Sequence, residues 1–289
     1  MLGREPYLTV LRDGTLLMTS HIINAERRNK DGHEYALIHR STDGGRTWSS
    51  IRIGPDGFAH GTITLLSRNA LELPDGTVLV GVTALDSERS ASEYMWHSTD
   101  GGLNWDRTHR CNPIGFRSRF GFFAGEALLW VAQSGKLYAF VRVDSHEYPL
   151  EGIPIPSGGD NTDHLIVYQS TDQGLTFTRD RDSGDYGEMY PALLRLQDGR
   201  LLLTFTVRAL GFPLGVHAII GKESSDGFSF DWSHDRIQID DRTPAGQRSG
   251  GGFGPTIQMT DGTLVTGYSY RAADGLFRVE VARWRLPAN

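Results

Sequence analysis

One local pattern recurs five times along the 289-residue chain and constrains its fold more than any other feature. Alternating apolar residues lead into a two-residue turn, and a second apolar run leads out. The clearest copies centre on Asp13-Gly14, Asp75-Gly76, Asp198-Gly199 and Asp261-Gly262, with Ser134-Gly135 as a worn fifth, and successive turns lie 62, 59, 64 and 63 residues apart. Asp-Gly between alternating apolar segments predicts a β-hairpin closed by a type I′ turn, whose central residues need positive φ. The period-2 alternation excludes a helical solenoid.

A second motif follows each of the first four turns. It reads Ser41-Thr42-Asp43-Gly44-Gly45-Arg46-Thr47-Trp48, then Ser98-Thr99-Asp100-Gly101-Gly102-Leu103-Asn104-Trp105, then Ser170-Thr171-Asp172-Gln173-Gly174-Leu175-Thr176-Phe177. A degenerate copy runs from Ser224 through Asp226-Gly227 to Phe230. A short Asp side chain can accept backbone N–H groups within its own turn, Gly takes the left-handed position, and the closing aromatic can wedge between sheets. Each repeat thus holds two hairpins, a four-stranded antiparallel sheet of about 60 residues, and such sheets arrayed around an axis make a β-propeller. The fold class expected is all-β, one propeller domain over residues 1–289, with five blades by repeat count and six as the alternative. The fifth unit shows a first hairpin and a strand from Leu276 to Leu286, but no second motif.

Composition narrows the function classes. Lys plus Arg number 29 against 35 Asp plus Glu, a net charge of −6, so no broad basic surface offers itself to nucleic acid. The single Cys111 excludes an internal disulfide and is a poor start for a structural zinc site, so no metal or cofactor is expected. No apolar run is long enough for a membrane helix, and Met1 to Pro6 lacks the start of a secretion signal. The expectation is a cytoplasmic protein with no membrane partner, secreted only if a signal has been removed.

The Ser-x-Asp-x-Gly-x-Thr-Trp pattern resembles the Asp-box, or BNR repeat, of the sialidase (neuraminidase) superfamily, and Arg4-Glu5-Pro6 before an apolar strand resembles the Arg-Ile-Pro start of its catalytic domain. The resemblance spans essentially the whole chain and implies a divergent member. The family clamps a substrate carboxylate with three arginines, uses Asp as general acid, and attacks with a Tyr activated by Glu. Arg4 matches its first arginine. Arg27 or Arg28 followed by Asp31 resembles its next arginine and acid, although Asp31 also reads as a turn residue in Lys30-Asp31-Gly32. Where the family has Glu eight residues before the fourth turn this chain has Tyr190, with Glu188 two earlier. Where the family has its nucleophilic Tyr, Phe253 carries no hydroxyl.

The working end follows from counting. Both turn types fall at one end of a blade, so the variable connections fall at the other, and residues eight to ten positions from each turn rise together to roughly 26–33 Å from it. On the first arm this selects Arg4, Glu126, Glu188, Tyr190 and Phe253, with Arg68 one step lower; on the second arm it selects His21, Arg142, Arg208 and Arg271. Arginines converging on one rim of an acidic protein point to an anionic ligand, because the guanidinium fork matches a carboxylate. Glu188 and Tyr190 on alternate residues would share a side of an extended segment, letting a carboxylate activate a phenol. Tyr268 and Tyr270 are further phenols, each also readable as core. The leading expectation is an exo-acting, sialidase-like glycoside hydrolase acting on an acidic sugar at a glycan end. The alternatives are a non-catalytic carbohydrate-binding propeller and a uronate lyase with His21 or a Tyr as base.

Overall fold

The computed structural model describes residues 4–22, 35–53, 63–85, 91–109, 111, 127–143, 164–182, 188–207, 214–225, 227–231, 236–240, 252 and 255–286. The protein is an all-β, five-bladed β-propeller whose repeats become antiparallel sheets in chain order. Blade 1 is β1 (Arg4–Val10), β2 (Leu16–Ile22), β3 (Tyr35–Ser41) and β4 (Ser49–Ile53). Blade 2 has an inner strand in two pieces, β5 (Ile63–Leu66) and β6 (Leu71–Glu72), both paired with β7 (Val78–Leu85), which pairs in turn with β8 (Ala91–Ser98). Blade 3 is β9 (Leu128–Val131), β10 (Leu137–Val143), β11 (His164–Ser170) and β12 (Thr178–Asp182). Blade 4 is β13 (Glu188–Arg195), β14 (Arg200–Val207) and β15 (Gly215–Ser224), with β16 (Gly227–Phe230) and β17 (Ile237–Asp240) as two pieces of an outer strand on β15. Blade 5 is β18 (Thr256–Gln258), β19 (Leu264–Arg271) and β20 (Phe277–Trp284), three strands among the described residues rather than four.

The five repeat turns join the first two strands of each blade as expected, but their type differs from the expectation. Only the glycines take positive φ, 87° at Gly14, 93° at Gly76, 82° at Gly135, 85° at Gly199 and 82° at Gly262. The N–H of Gly14 donates to the carbonyl of Leu11 and that of Leu11 to the carbonyl of Thr15, the pattern of a type I turn closed by a left-handed Gly. The physical reason lies in Asp13, whose carboxylate accepts from the N–H of Thr15 at 2.8 Å and from its hydroxyl at 3.1 Å.

By contacts the chain forms two compact units: residues 1–131, 135–141 and 168–180, and residues 132–134, 142–167 and 181–289. In the first, the core joins Leu11, Leu17, Ile38 and Ile53 of blade 1 to Leu66, Val80, Val82 and Trp96 of blade 2. In the second, Leu196, Leu202 and Ala218 of blade 4 pack with Leu264 of blade 5, and Val216 with Tyr268 and Tyr270. The same polar clamp recurs in both units. The N–H one residue before a turn Asp donates to the side chain three residues before the next blade's turn: Arg12 to Glu72 at 2.7 Å, and Gln197 to Gln258 at 2.8 Å. Repetition of the sequence period therefore produces repetition of the blade contact.

The second motif builds a self-satisfied turn. In blade 1, Ser41 Oγ donates to Asp43 Oδ1 at 2.8 Å and accepts the N–H of Gly45 at 2.9 Å. Asp43 then accepts both the N–H and the hydroxyl of Thr47, at 2.9 and 2.6 Å. Blades 2 and 3 repeat these bonds around Asp100 and Asp172. The closing aromatics differ in depth: Trp48 and Trp105 are half-buried with indole N–H bonds to Gly45 and Gly102, and Phe177 is buried.

Candidate functional site

The inner strand of a blade begins at the end opposite both turn types, and there β1 and β13 share an irregularity. Register slips between Arg4 and Tyr7 in β1, and between Met189 and Ala192 in β13. The bulged residues are Glu5, with φ of 53°, and Tyr190, with φ of 54°. Both stand eight residues before their turn Asp. Left-handed backbone at a residue bearing a Cβ is uncommon and costs on the order of 1–3 kcal/mol, so the matched pair calls for a compensating reason.

In blade 1 the bulge aims Glu5 at an arginine. Glu5 Oε2 lies 3.9 Å from Arg68 Nη2, the side chains being 19% and 5% exposed. Arg68 is fixed through its backbone, its N–H donating to the carbonyl of Ala127 at 2.8 Å and its carbonyl accepting from the hydroxyl of Thr19. Beside it, burial pushes the Tyr7 phenol up to about 12, against the downward pull of the Arg68 guanidinium. Tyr7 is therefore a donor at neutral pH and a poor nucleophile. A carboxylate, a guanidinium and a phenol thus cluster in the first unit. Counting offsets selected Arg68 but passed over Glu5 and Tyr7. The signal that could have found Glu5 was its offset, identical to that of Tyr190 and Phe253.

In blade 4, Tyr190 is 5% exposed and its ring lies against Gly252. A Cβ on Gly252 would fall 2.8 Å from Thr206 Oγ1 and 2.9 Å from the Tyr190 ring, so this contact requires glycine. Gly252 is held by reciprocal backbone bonds with Ser269 at 3.0 and 3.1 Å. Glu188 pairs across the ladder with Val207, which puts it on the same strand end as Tyr190. Tyr190 is itself the bulged residue, so simple alternation does not put it on the same side as Glu188.

The other expected residues fall as follows. Arg4 lies on β1 directly across from His21, and His21 is buried. Arg142 lies on β10. Arg271 donates from Nε to the carbonyl of Gly275 at 3.3 Å and its guanidinium stands 5.9 Å from the Phe277 ring centre, so its own hairpin engages it. Tyr268 and Tyr270 are buried in the blade 4–blade 5 core, and the Tyr270 hydroxyl donates to Glu280 at 3.0 Å. Arg27, Arg28, Asp31, Glu126, Arg208 and Phe253 lie outside the described residues, as do the side chains of Arg4, Arg142 and Glu188. Among the described residues, no cluster of three or more His, Cys, Asp or Glu could hold a metal ion, and no helix is long and apolar enough to cross a membrane.

No protein-family model and no curated protein matches the chain. Solved structures do. A protein of unknown function from Dyadobacter fermentans DSM 18053 is similar with a TM-score of 0.68 and 20% identity over 96% of this chain and 75% of that one. An α-L-arabinanase from Penicillium chrysogenum, solved with arabinobiose, gives 0.55 and 14% over 97% and 92%. A Hadza microbial sialidase gives 0.52 and 13% over 97% and 65%. At these identities the likeness establishes the propeller fold, which unrelated chemistries share.

Proposed function

We propose that the protein is an exo-acting glycoside hydrolase of sialidase-like type that removes a carboxylate-bearing sugar from a glycan end. The observation that carries the reading is the matched left-handed bulge at Glu5 and Tyr190. Bulges re-aim side chains beside active sites, and strained backbone at residues bearing reactive groups is retained where function needs the aim. Two propeller neighbours named as a sialidase and an arabinanase support a glycosidase reading at the level of fold. In this reading Tyr190 attacks the anomeric carbon with Glu188 accepting its proton, Asp31 protonates the departing oxygen, and Arg4 and Arg208 hold the sugar carboxylate. Glu5, 3.9 Å from Arg68, supplies a further carboxylate at the same repeat offset.

The test is product analysis on a panel of sialosides, uronides and neutral arabinosides. Free acidic sugar supports the proposal. Release of a neutral sugar alone, or an unsaturated uronate absorbing in the ultraviolet, defeats it. Two observations favour a second reading, a carbohydrate-binding module: Tyr190 is nearly closed off, and the Tyr7 phenol beside Arg68 stays protonated. Affinity for acidic glycans without turnover would decide for that module.

A further inference from the structure

In blades 1 to 4 the third strand has chain paired along its outer edge. β4 covers β3, β12 covers β11, and β16 with β17 covers β15. On β8 the segment Asp106 to His109 takes the place of a strand, bonding to His97 and Met95. β20 has no such cover among the described residues. Its face directed away from the blade 4 core is a row of apolar side chains, Phe277 60%, Val279 83% and Val281 62% exposed, flanked by exposed Leu276 and Ile257. A long, apolar, uncovered edge is what folded proteins ordinarily suppress with charge, Pro or a covering segment. A row of this kind marks an interaction surface.

The edge also has a definite polarity. The hairpin bond from the N–H of Ala272 to the carbonyl of Leu276 sets the ladder, in which Arg271 pairs with Phe277 and Ser269 with Val279. Hydrogen-bonded and non-bonded pairs alternate in an antiparallel ladder, so the main-chain groups of Phe277, Val279 and Val281 point outward.

We propose that β20 pairs antiparallel with β20 of a second copy, with Val279 on the two-fold axis. In that register Phe277 faces Val281 of the second copy, an aromatic against a β-branched residue, and Arg278, held in its own hairpin by Asp274 at 2.7 Å, comes opposite Glu280, which accepts from Tyr270, a charge pairing formed twice by symmetry. Neighbouring registers are worse. Centring on Glu280 opposes two carboxylates at close range. Centring on Val281 sets Val279 against Arg283 and breaks both charge pairs. The second copy supplies a fourth strand to blade 5, which has three among the described residues, and the self-complementary charge pattern selects it over an unrelated partner.

The experiment is light scattering on the purified full chain over a range of concentrations, joined to cysteine cross-linking. A dimer is expected, and Val279→Lys should be monomeric with an unchanged far-ultraviolet spectrum. Val279→Cys should form a disulfide-linked dimer under mild oxidation, since paired Cα atoms about 5.5 Å apart lie within disulfide reach. Val281→Cys, facing Phe277 instead of its twin, should link far more slowly. Arg278→Glu should lose the dimer, and Arg278→Glu with Glu280→Arg should regain it. A wild-type monomer at every concentration overturns the proposal, as does equal cross-linking of the two cysteine variants.

Discussion

The two ends of these blades solve opposite problems. At the turn end, the Ser and Asp side chains of the motif find partners within four residues: Ser41, Asp43, Gly45 and Thr47 close on one another, and the same bonds recur in blades 2 and 3. At the opposite end, partners come from far along the chain. Glu5 reaches Arg68, Arg68 reaches Ala127, and Tyr190 rests on Gly252. Local closure gives stability that does not depend on what binds. Long-range closure leaves side chains poised and backbone strained, the condition under which chemistry is built.

The sharpest way to break this contrast is Tyr190→Phe. It removes one oxygen and no backbone constraint, so kcat on an acidic-sugar substrate should fall by roughly 10²-fold or more while the melting temperature stays within a degree or two. Steady-state kinetics beside a thermal melt reads both. An unchanged kcat would remove Tyr190 from the reacting set.

The mirror experiment is Gly102→Ala at the turn end. Gly102 has φ of 81°, and a Cβ there would lie 2.8 Å from Leu17 Cδ2, so the variant suffers both left-handed strain and overpacking. Together these should cost about 2–5 kcal/mol, read as a lowered denaturant midpoint, with turnover per folded molecule unchanged. Gly135→Ala has nearly the same φ, 82°, with nothing within 4 Å of the new Cβ, and should cost about 1–2 kcal/mol. Equal losses would mean that backbone strain alone, rather than blade packing, governs these glycines.

What could be read from the sequence follows the same division. The hairpins, the box turns and the blade count were legible because each depends on residues within a few positions of one another. The turn type was misjudged, since a type I′ assignment ignores the option taken by Asp13: stay right-handed and accept from Thr15. Glu5 escaped notice because a bulge displaces side-chain alternation, although Pro6 after it, like Pro191 after Tyr190, is the residue that marks a bulge within a strand. Arg68 was chosen for its height on the rim, yet its answering carboxylate is 63 residues away in the chain. The second strand of blade 5 shows the same limit, with Arg271 turned back on its own hairpin by Gly275 and Phe277.

Acid sharpens the comparison from another side. Hydrogen bonds from the Thr47 hydroxyl and N–H hold Asp43 down at about 2, and the N–H and side-chain amide of Asn104 do the same for Asp100. Both values lie below the ordinary 3.8, so their contribution is present above about pH 4 and is lost as pH falls toward 2. The melting temperature should fall across that window, and Asp43→Asn should flatten part of the fall. Activity per folded molecule should follow a different profile, set by the carboxylates of the other end. A common midpoint for stability and activity would contradict the division of labour.

The smallest effect is expected where the turn end carries strain of its own. The third box has Gln173 at φ of 58° in the position that Gly44 and Gly101 fill at 70° and 67°. Its carbonyl is held by the His97 ring, as the carbonyl of Gly101 is held by Arg40 Nε at 2.9 Å, each donor standing one residue before its own box Ser. Gln173→Gly keeps that carbonyl and removes the Cβ, relieving about 1 kcal/mol or more of left-handed strain while adding backbone freedom to the unfolded chain. The net should be a gain of a few tenths to about 1 kcal/mol, visible as a slightly higher denaturant midpoint with kcat unchanged. Strain at Gln173 would then be incidental, tolerated because the surrounding bonds of Ser170 and Asp172 over-determine the turn. A loss of turnover in this variant would show that left-handed residues at the two ends are coupled, and that the turn end takes part in the chemistry.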